Sequence, residues 1–212
     1  MFSWRQVVDF SQPLTGERYE DKETVTPMRL ATVIRLNEER EREATRMRWG
    51  WPKPNSKVDR PEYIHARAET IDVKPTFREA FERRRGILVV KTFNEGKEIT
   101  PTKTDQYTVT PRDGKPLGIA VIWDAIPHPM LGQILSFVMV TVEPNKLIST
   151  ITDRMPAVLE EKDWPQWLGE EEASISDLKA ILKTYEGNWD MAYQPKPSKT
   201  KKPIAPTNPG LF

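Results

Sequence analysis

The sequence predicts an α+β fold in a single domain, mainly β with peripheral helices, and three observations carry that expectation. β-branched and apolar runs fill the middle of the chain, and helical patterns gather in its C-terminal third. A length of 212 residues suits one domain with its own core and would crowd two.

The elements follow in chain order. Residues 1 to 27 are polar and punctuated by Pro13, Gly16 and Pro27, so they read as a lead-in draped over the core. From Arg29, the alternation of Leu30, Thr32, Ile34 and Leu36 against Ala31, Val33 and Arg35 predicts a strand. A charged turn, Asn37 to Arg42, leads to a second strand at Ala44 to Trp49, and Pro52 and Pro54 open a loop. Pro75 to Arg84 is expected to be a short helix with Thr76 as N-cap and Phe77, Ala80 and Phe81 facing inward. Gly86 to Phe93 reads as a central strand, followed by strands at Tyr107 to Thr110, Leu117 to Trp123 and Ile134 to Val142. Asp113-Gly114 is a hairpin-type turn between two of them. Pro144 is expected to open a helix running through Ile148, and two more helices fit Glu161 to Leu168 and Ile175 to Tyr185. The domain is expected over 1–190, leaving 191–212 as a disordered tail rich in Pro and Lys.

Composition removes several function classes. The 32 Lys and Arg against 31 Asp and Glu leave a formal net charge of +1, so attraction to phosphate has to come from local clusters. With zero cysteines there is no disulfide framework, no thiolate zinc site and no thiol catalysis. No Gly-rich phosphate loop, metal-ligand spacing or Ser-His-Asp constellation stands out, so no cofactor and no metal are expected. The apolar runs fall well short of the roughly 20 residues that span a bilayer, and Met1 to Gln6 lack a signal-peptide core. A cytoplasmic protein without membrane contact is expected.

Several residues could carry chemistry. Glu95 stands at the exit of a buried strand, where partial desolvation raises a carboxyl toward useful acid-base values; the alternative is a solvated turn glutamate. Arg67 could clamp a phosphate bidentately, or serve as an ordinary ion-pairing arginine. Trp49 and Trp51 follow Arg46 and Arg48, and indoles beside guanidiniums can form a platform for unstacked bases or simply pack in the core. Asp153 either pairs with Arg154 or caps the following turn. The Arg83-Arg84-Arg85 run reads as a helix C-terminal charge cluster, and His128 lies in a Pro-bounded loop.

Taken in order, Trp49-Gly50-Trp51-Pro52, Ala66-Arg67-Ala68-Glu69-Thr70, Phe93-Asn94-Glu95-Gly96-Lys97 and Ile151-Thr152-Asp153-Arg154-Met155-Pro156 carry a resemblance. From about Pro27 to Leu168 the chain resembles the SOS-response-associated peptidase (SRAP) family of abasic-site sensors. The resemblance implies an SRAP-like core of twisted antiparallel sheets in barrel-like form. It implies Glu95 as the acid-base group, Arg154 on the phosphate-facing wall and Trp51 as a DNA contact, with Arg67, whose motif matches the family's, and Arg48 beside the indoles as the other candidate DNA-binding residues. The chain departs from the family pattern in two places: Thr152 stands where the family has His, and His65 stands where it has Asn. A histidine at 65 either donates a similar hydrogen bond or is a tolerated change.

Relatives use a cysteine exposed after Met removal, which closes a thiazolidine on the abasic aldehyde and is implicated in autoproteolysis. Here Phe2 follows Met1, and a start downstream of a Met-Cys is an open alternative. The expectation is a monomer that binds single-stranded or abasic-site DNA in a cleft, its covalent chemistry lost or altered. Two alternatives stand beside it. One is an active abasic-site or peptide-processing enzyme using the N-terminal amine; the other is a non-DNA interaction module of a mobile element.

Overall fold

The computed structural model of the protein describes residues 15–16, 24–52, 60–128 and 131–195. Most of the lead-in and the tail from 196 lie outside the described residues. Chain order begins with β1 (Thr15–Gly16), β2 (Leu30–Leu36), β3 (Arg42–Trp49), β4 (Trp51–Pro52), β5 (Pro61–Tyr63) and β6 (His65–Arg67). Helix α1 (Pro75–Arg83) leads to β7 (Arg85–Val90), β8 (Phe93–Thr100), β9 (Lys103–Pro111), β10 (Leu117–His128) and β11 (Gly132–Val142). Two short strands, β12 (Met155–Pro156) and β13 (Val158–Leu159), precede α2 (Trp164–Leu168), α3 (Ile175–Ile181) and β14 (Trp189–Gln194).

The main sheet runs β3-β2-β7-β10-β11, and β11 pairs back onto β3 in parallel through Ser136↔Arg48 and Phe137↔Trp49. That last pairing closes a barrel and removes its free edges. Alternation along each strand then sorts side chains into inside and outside. Ala31, Val33, Met47, Leu88, Ile119, Val121, Phe137 and Met139 form the inner cluster. The opposite face of the same strands, with Ile34, Ala44, Ile87, Ala120, Ile122, Val138 and Val140, joins the larger outer core under the helices. One barrel end is closed by Arg35, which lies over Trp123 at 5.1 Å, donates to Thr45 Oγ1 and pairs with Glu43 at 2.7 Å.

Helix α1 buries Phe77, Ala80 and Phe81, as its spacing predicts. Its N-cap is Lys74 without a side-chain cap bond, not Thr76: Pro75 at the first helical position, with φ preset and no N–H to satisfy, moves the start forward. Helix α2 seats Trp164 and Trp167 on the barrel, and Trp167 Nε1 donates to the Gly86 carbonyl at 2.8 Å. A Cβ on Gly118 would lie 2.5 Å from Trp164, so only glycine lets the indole approach this closely.

Other elements differ from expectation. Asp113-Gly114 is a turn, but it joins β9 to β10, which belong to different sheets, so it is no hairpin. The stretch after Pro144 forms only a 3-10 turn, Ile148–Thr150, begun by the Asn145 side chain accepting from the Ile148 N–H at 3.0 Å. Helix α3 starts with a Ser174/Asp177 capping box and stops at Ile181 rather than Tyr185. Beyond it the Tyr185 carbonyl accepts from Asn145, and its ring packs on Trp189 at 5.5 Å, contacts that an extended chain makes and a helix would not. The boundary drawn at 191 cuts a strand, since β14 pairs with β9 from Trp189↔Pro111 to Gln194↔Gln106. With β8 these form a separate three-stranded sheet. Among the described residues, no helix is long and apolar enough to cross a membrane.

Candidate functional site at the barrel mouth

The second barrel end is built where β10 and β11 part. They pair from His128↔Gly132 to Val121↔Met139, and beyond that β12 bonds to β11 and β13 to β10. On its other side β11 leaves β3 after Phe137 and takes β6 as neighbour, with Met139↔His65 and Thr141↔Arg67 in register. The final residues of β11 are therefore flanked by His65–Arg67 on one side and by the Thr152–Pro156 run on the other. Two motifs roughly ninety residues apart in sequence meet at one strand end.

Arg154 bridges the two. It donates to both Glu69 carboxylate oxygens at 2.9 Å and to the Thr141 carbonyl at 2.6 Å, a bidentate geometry that fixes the guanidinium plane. Burial alone would raise the Glu69 carboxyl. The Arg154 hydrogen bonds and charge, with Arg67 adding, bring it below its ordinary value. Lys179 holds the following turn, donating to the Glu69 carbonyl at 3.1 Å and to Asp72 at 2.7 Å. Arg67 itself is exposed.

His65 shares the mouth. Its outer edge is open to solvent, yet the protein packed around the ring, and secondarily the Arg154 charge, lower its pKa, so the neutral imidazole predominates at neutral pH. The ring lies 6.1 Å from Trp49, which stacks on Phe137 of the inner cluster and donates Nε1–H to the Ile64 carbonyl at 2.9 Å.

Glu95 is half-buried, and its carboxyl is pushed up to about 7, first by desolvation and second by the Asp153 charge. It does not sit at the exit of the central strand. β7 ends at Val90, and Glu95 belongs to β8 of the second sheet, opposite Tyr107. Asp153 thus faces Glu95 rather than pairing with Arg154, whose partner is Glu69. Thr152 is half-buried, its N–H donating to the Ile148 carbonyl at 3.1 Å.

The structure brings His65, Arg67 and Arg154 to one mouth; Thr152 is two residues from Arg154 in the run that lines it, and Glu95 of the second sheet is linked to that run through the charge of Asp153. It separates two others. Trp51 is 3% exposed, donates Nε1–H to the Ser136 carbonyl at 3.0 Å and packs 5.7 Å from Phe77, so it is a core residue and not a base platform. Gly50, with φ +113°, breaks the alternation that would place Trp51 beside Trp49. Arg48 is buried on the outer barrel face, in register with Leu30 and Ser136, and lies outside the mouth.

Three contributors were not singled out from sequence: Glu69, Asp153 as the neighbour of Glu95, and Trp49 as the site indole. Glu69 was accessible, since His65, Arg67 and Glu69 recur every second residue and so share a face. Among the described residues, no group of three or more His, Asp or Glu could hold a metal ion.

Comparison with known proteins places this geometry among relatives. The sequence model for "SOS response associated peptidase (SRAP)" matches residues 4–199. The abasic site processing protein YoqW of Bacillus subtilis is 26% identical over 181 residues, covering 84% of this chain and 80% of that protein. The abasic site processing protein YobE of the same organism is 26% identical over 182 residues, covering 84% and 82%. An X-ray structure of a Bordetella bronchiseptica protein superposes with a TM-score of 0.76 at 23% identity, over 92% of this chain and 97% of that one. One from Bacteroides thetaiotaomicron gives 0.67 at 22% identity, over 80% and 75%. At these identities the two structures speak for the fold.

Proposed function

The chain belongs to the SOS response associated peptidase (SRAP) family, and from that membership we propose that its barrel mouth binds single-stranded or abasic-site DNA, acting as a cytoplasmic monomer. Its covalent chemistry is lost or altered. The observation that carries the proposal is the meeting of a neutral imidazole and two arginines at one strand end, with the Glu95 carboxyl, pushed up to about 7, sensing Asp153 of the adjoining run. The curated relatives are named for abasic site processing, which supports DNA as the ligand class.

Each side chain has a role in this reading. Arg67, exposed and only loosely engaged with Glu69, supplies a phosphate contact; Arg154, held by Glu69 and Thr141, presents its remaining face in a fixed plane. Trp49 and His65 offer ring surface to the sugar or an unstacked base. Glu95 exchanges a proton near neutral pH. The 212 residues contain no thiol, so a thiazolidine cannot form from them.

Glu95 also favours a second reading, in which a free amine attacks the ring-opened aldehyde of an abasic site. The Glu95 carboxyl would protonate the carbinolamine hydroxyl, water would leave and a Schiff base would remain. The amine expected for this, on residue 1, lies outside the described residues.

Fluorescence anisotropy with labelled single-stranded oligonucleotides tests the leading reading. Binding should weaken with salt along a log-log slope of about −1.4 to −2, from two or three phosphate contacts at roughly −0.7 each. No binding at low salt to single-stranded, gapped or abasic DNA would refute it.

A further inference from the structure

The three-stranded sheet β14-β9-β8 carries an aromatic row that the mouth does not use. Glu95 of β8 is in register with Tyr107 of β9, and Tyr107 with Tyr193 of β14. Register partners in adjacent antiparallel strands project from the same face, so Glu95, Tyr107 and Tyr193 stand in one row across the sheet. Strand spacing puts the backbone of Tyr107 about 4.8 Å and that of Tyr193 about 10 Å from Glu95 along the row. The two tyrosine rings meet edge to face, their centroids 5.7 Å apart and their planes at 64°. That contact uses the edge of one ring and one face of the other.

The row lies where the sheet leaves the core. Two residues along the strands on one side, Phe93, Val109 and Met191 form the next row of the same face; Phe93 and Val109 are buried, Phe93 against Trp189. Two residues along on the other side stands Lys97, opposite Asp105, whose carboxylate pairs with Lys103 at 3.9 Å. Cross-strand packing accounts for Tyr107, which is half-buried. Tyr193 goes beyond that need: at 52% exposure on an edge strand it is the one exposed Phe, Tyr or Trp among the described residues. The sequence that follows it is cationic. All 31 acids precede Gln194, whereas Lys196, Lys199, Lys201 and Lys202 come after it.

An exposed ring in the same row as an acid-base carboxyl, with lysines on its face and after it in sequence, matches a ligand whose flat groups are joined by anionic links. Single-stranded nucleic acid has that chemistry, since its bases stack on aromatic rings and its phosphates attract lysine. We infer that Tyr193, backed by Tyr107, is a stacking site for a base of single-stranded DNA, the base next to the nucleotide that Glu95 serves. The inference rests on the DNA-binding reading above and deepens it: recognition then includes a base beside the lesion, held on the second sheet and not on the barrel. Every base has a π face, so this site adds affinity without sequence preference.

The test compares two single-stranded oligonucleotides of about 9 nucleotides, within the range that single-strand grooves occupy. One carries a stable abasic analogue at its centre and thymine elsewhere; the other carries the analogue at every position, so it has the same phosphates and no bases. Wild-type protein, Tyr193→Ser and Tyr193→Phe are titrated by anisotropy; the side chain is exposed on an edge strand, so the fold tolerates both changes. Tyr193→Ser should bind the thymine strand about five- to tenfold more weakly, the low end of what one base–aromatic stack is worth, with its salt slope unchanged. The strand without bases should bind wild type and Tyr193→Ser alike, and Tyr193→Phe, which keeps the ring, should match wild type on both. Equal effects of Tyr193→Ser on both strands, or none on either, overturn the stacking site and leave the mouth reading standing. A loss in Tyr193→Phe as large as in Tyr193→Ser would assign the contact to the hydroxyl and also overturns it. Absence of wild-type binding to either strand overturns both readings. A labelled polyproline peptide that binds wild type and is lost from Tyr193→Ser, with both DNA strands indifferent to the change, would give the tyrosine pair to a proline-rich segment and overturns the inference.

Discussion

Replacing Glu95 with Gln should stabilise the protein, and by an amount that grows with pH. The wild-type carboxyl keeps its proton up to about 7 in the folded chain, against 4.5 for an unperturbed glutamate. Below 4.5 both folded and unfolded chains hold the proton, and the group contributes no pH dependence. Between 4.5 and about 7 the unfolded chain has released it while the folded chain retains it. Stability therefore falls as pH rises through this window, because fewer protons are bound to the unfolded state. At about 1.4 kcal/mol per pKa unit the full span is worth roughly 3 kcal/mol, an upper figure for a half-buried group. Gln is nearly isosteric and never ionises, so the variant escapes this loss. Urea denaturation of both proteins between about pH 4.5 and 8 should give near-equal stabilities at the acid end. The variant should lead by as much as about 3 kcal/mol at the alkaline end. Curves that run parallel across the window would show that Glu95 titrates normally, and the acid-base role would lose its physical basis.

Further changes separate the mouth from the scaffold. Arg67→Ala should weaken single-stranded DNA binding across sequences and flatten the salt slope by about 0.7, read by anisotropy over a salt series. Trp51→Ala should cost about 3 to 5 kcal/mol in denaturant midpoint analysis, because the indole is buried against Phe77; a loss near zero would contradict its core position. Trp49→Ala should cost less stability and instead lower DNA affinity by about 1 to 3 kcal/mol, if a base or sugar rests on its ring. Incubation with an abasic oligonucleotide should give no crosslink that survives denaturing electrophoresis without reductant, since the chain has no thiol. A borohydride-dependent adduct that survives N-terminal acetylation would rule out the α-amine as the attacking group.

Local pattern made the strands legible: β2, β3, β10 and β11 all contain the alternating or continuous apolar runs that mark them, and α1 buries the three residues its spacing selects. What pattern could not reach was pairing between distant segments. The parallel contact of β11 with β3, which closes the barrel, joins residues nearly ninety positions apart and leaves no local trace. The same limit hid the Glu69–Arg154 clamp, 85 residues apart, so that the sequence offered Asp153 only its neighbour Arg154 or a capping role in the following turn. Glu95 could be singled out from its place after an apolar run and from its motif, but the break between Val90 and Phe93 that moves it into another sheet could not. For Trp49 and Trp51 the deciding feature is a single backbone angle at Gly50. A Cβ there would lie 2.7 Å from Pro61, so the turn and its close packing both require glycine.

The mouth forms because the barrel cannot continue there. Once β10 and β11 diverge, each needs a new hydrogen-bonding neighbour, and the segment from Met155 to Leu159 supplies one to each. Burying Met155 and Val158 in the core anchors that segment, which leaves the preceding Thr152, Asp153 and Arg154 to line the opening. Asp153 is thereby held beside Glu95 at a cost in stability, since its charge adds to the desolvation already disfavouring the ionised carboxyl. Asp153→Asn should relieve only the second of those effects. It should lower the Glu95 pKa part of the way toward 4.5 and shift the stability window to lower pH, while leaving the barrel intact because Asp153 is exposed. Carboxyl titration by NMR can follow Glu95 directly. An unchanged Glu95 pKa in that variant would mean that burial alone sets it, and that the signature run shapes the mouth without tuning its acid.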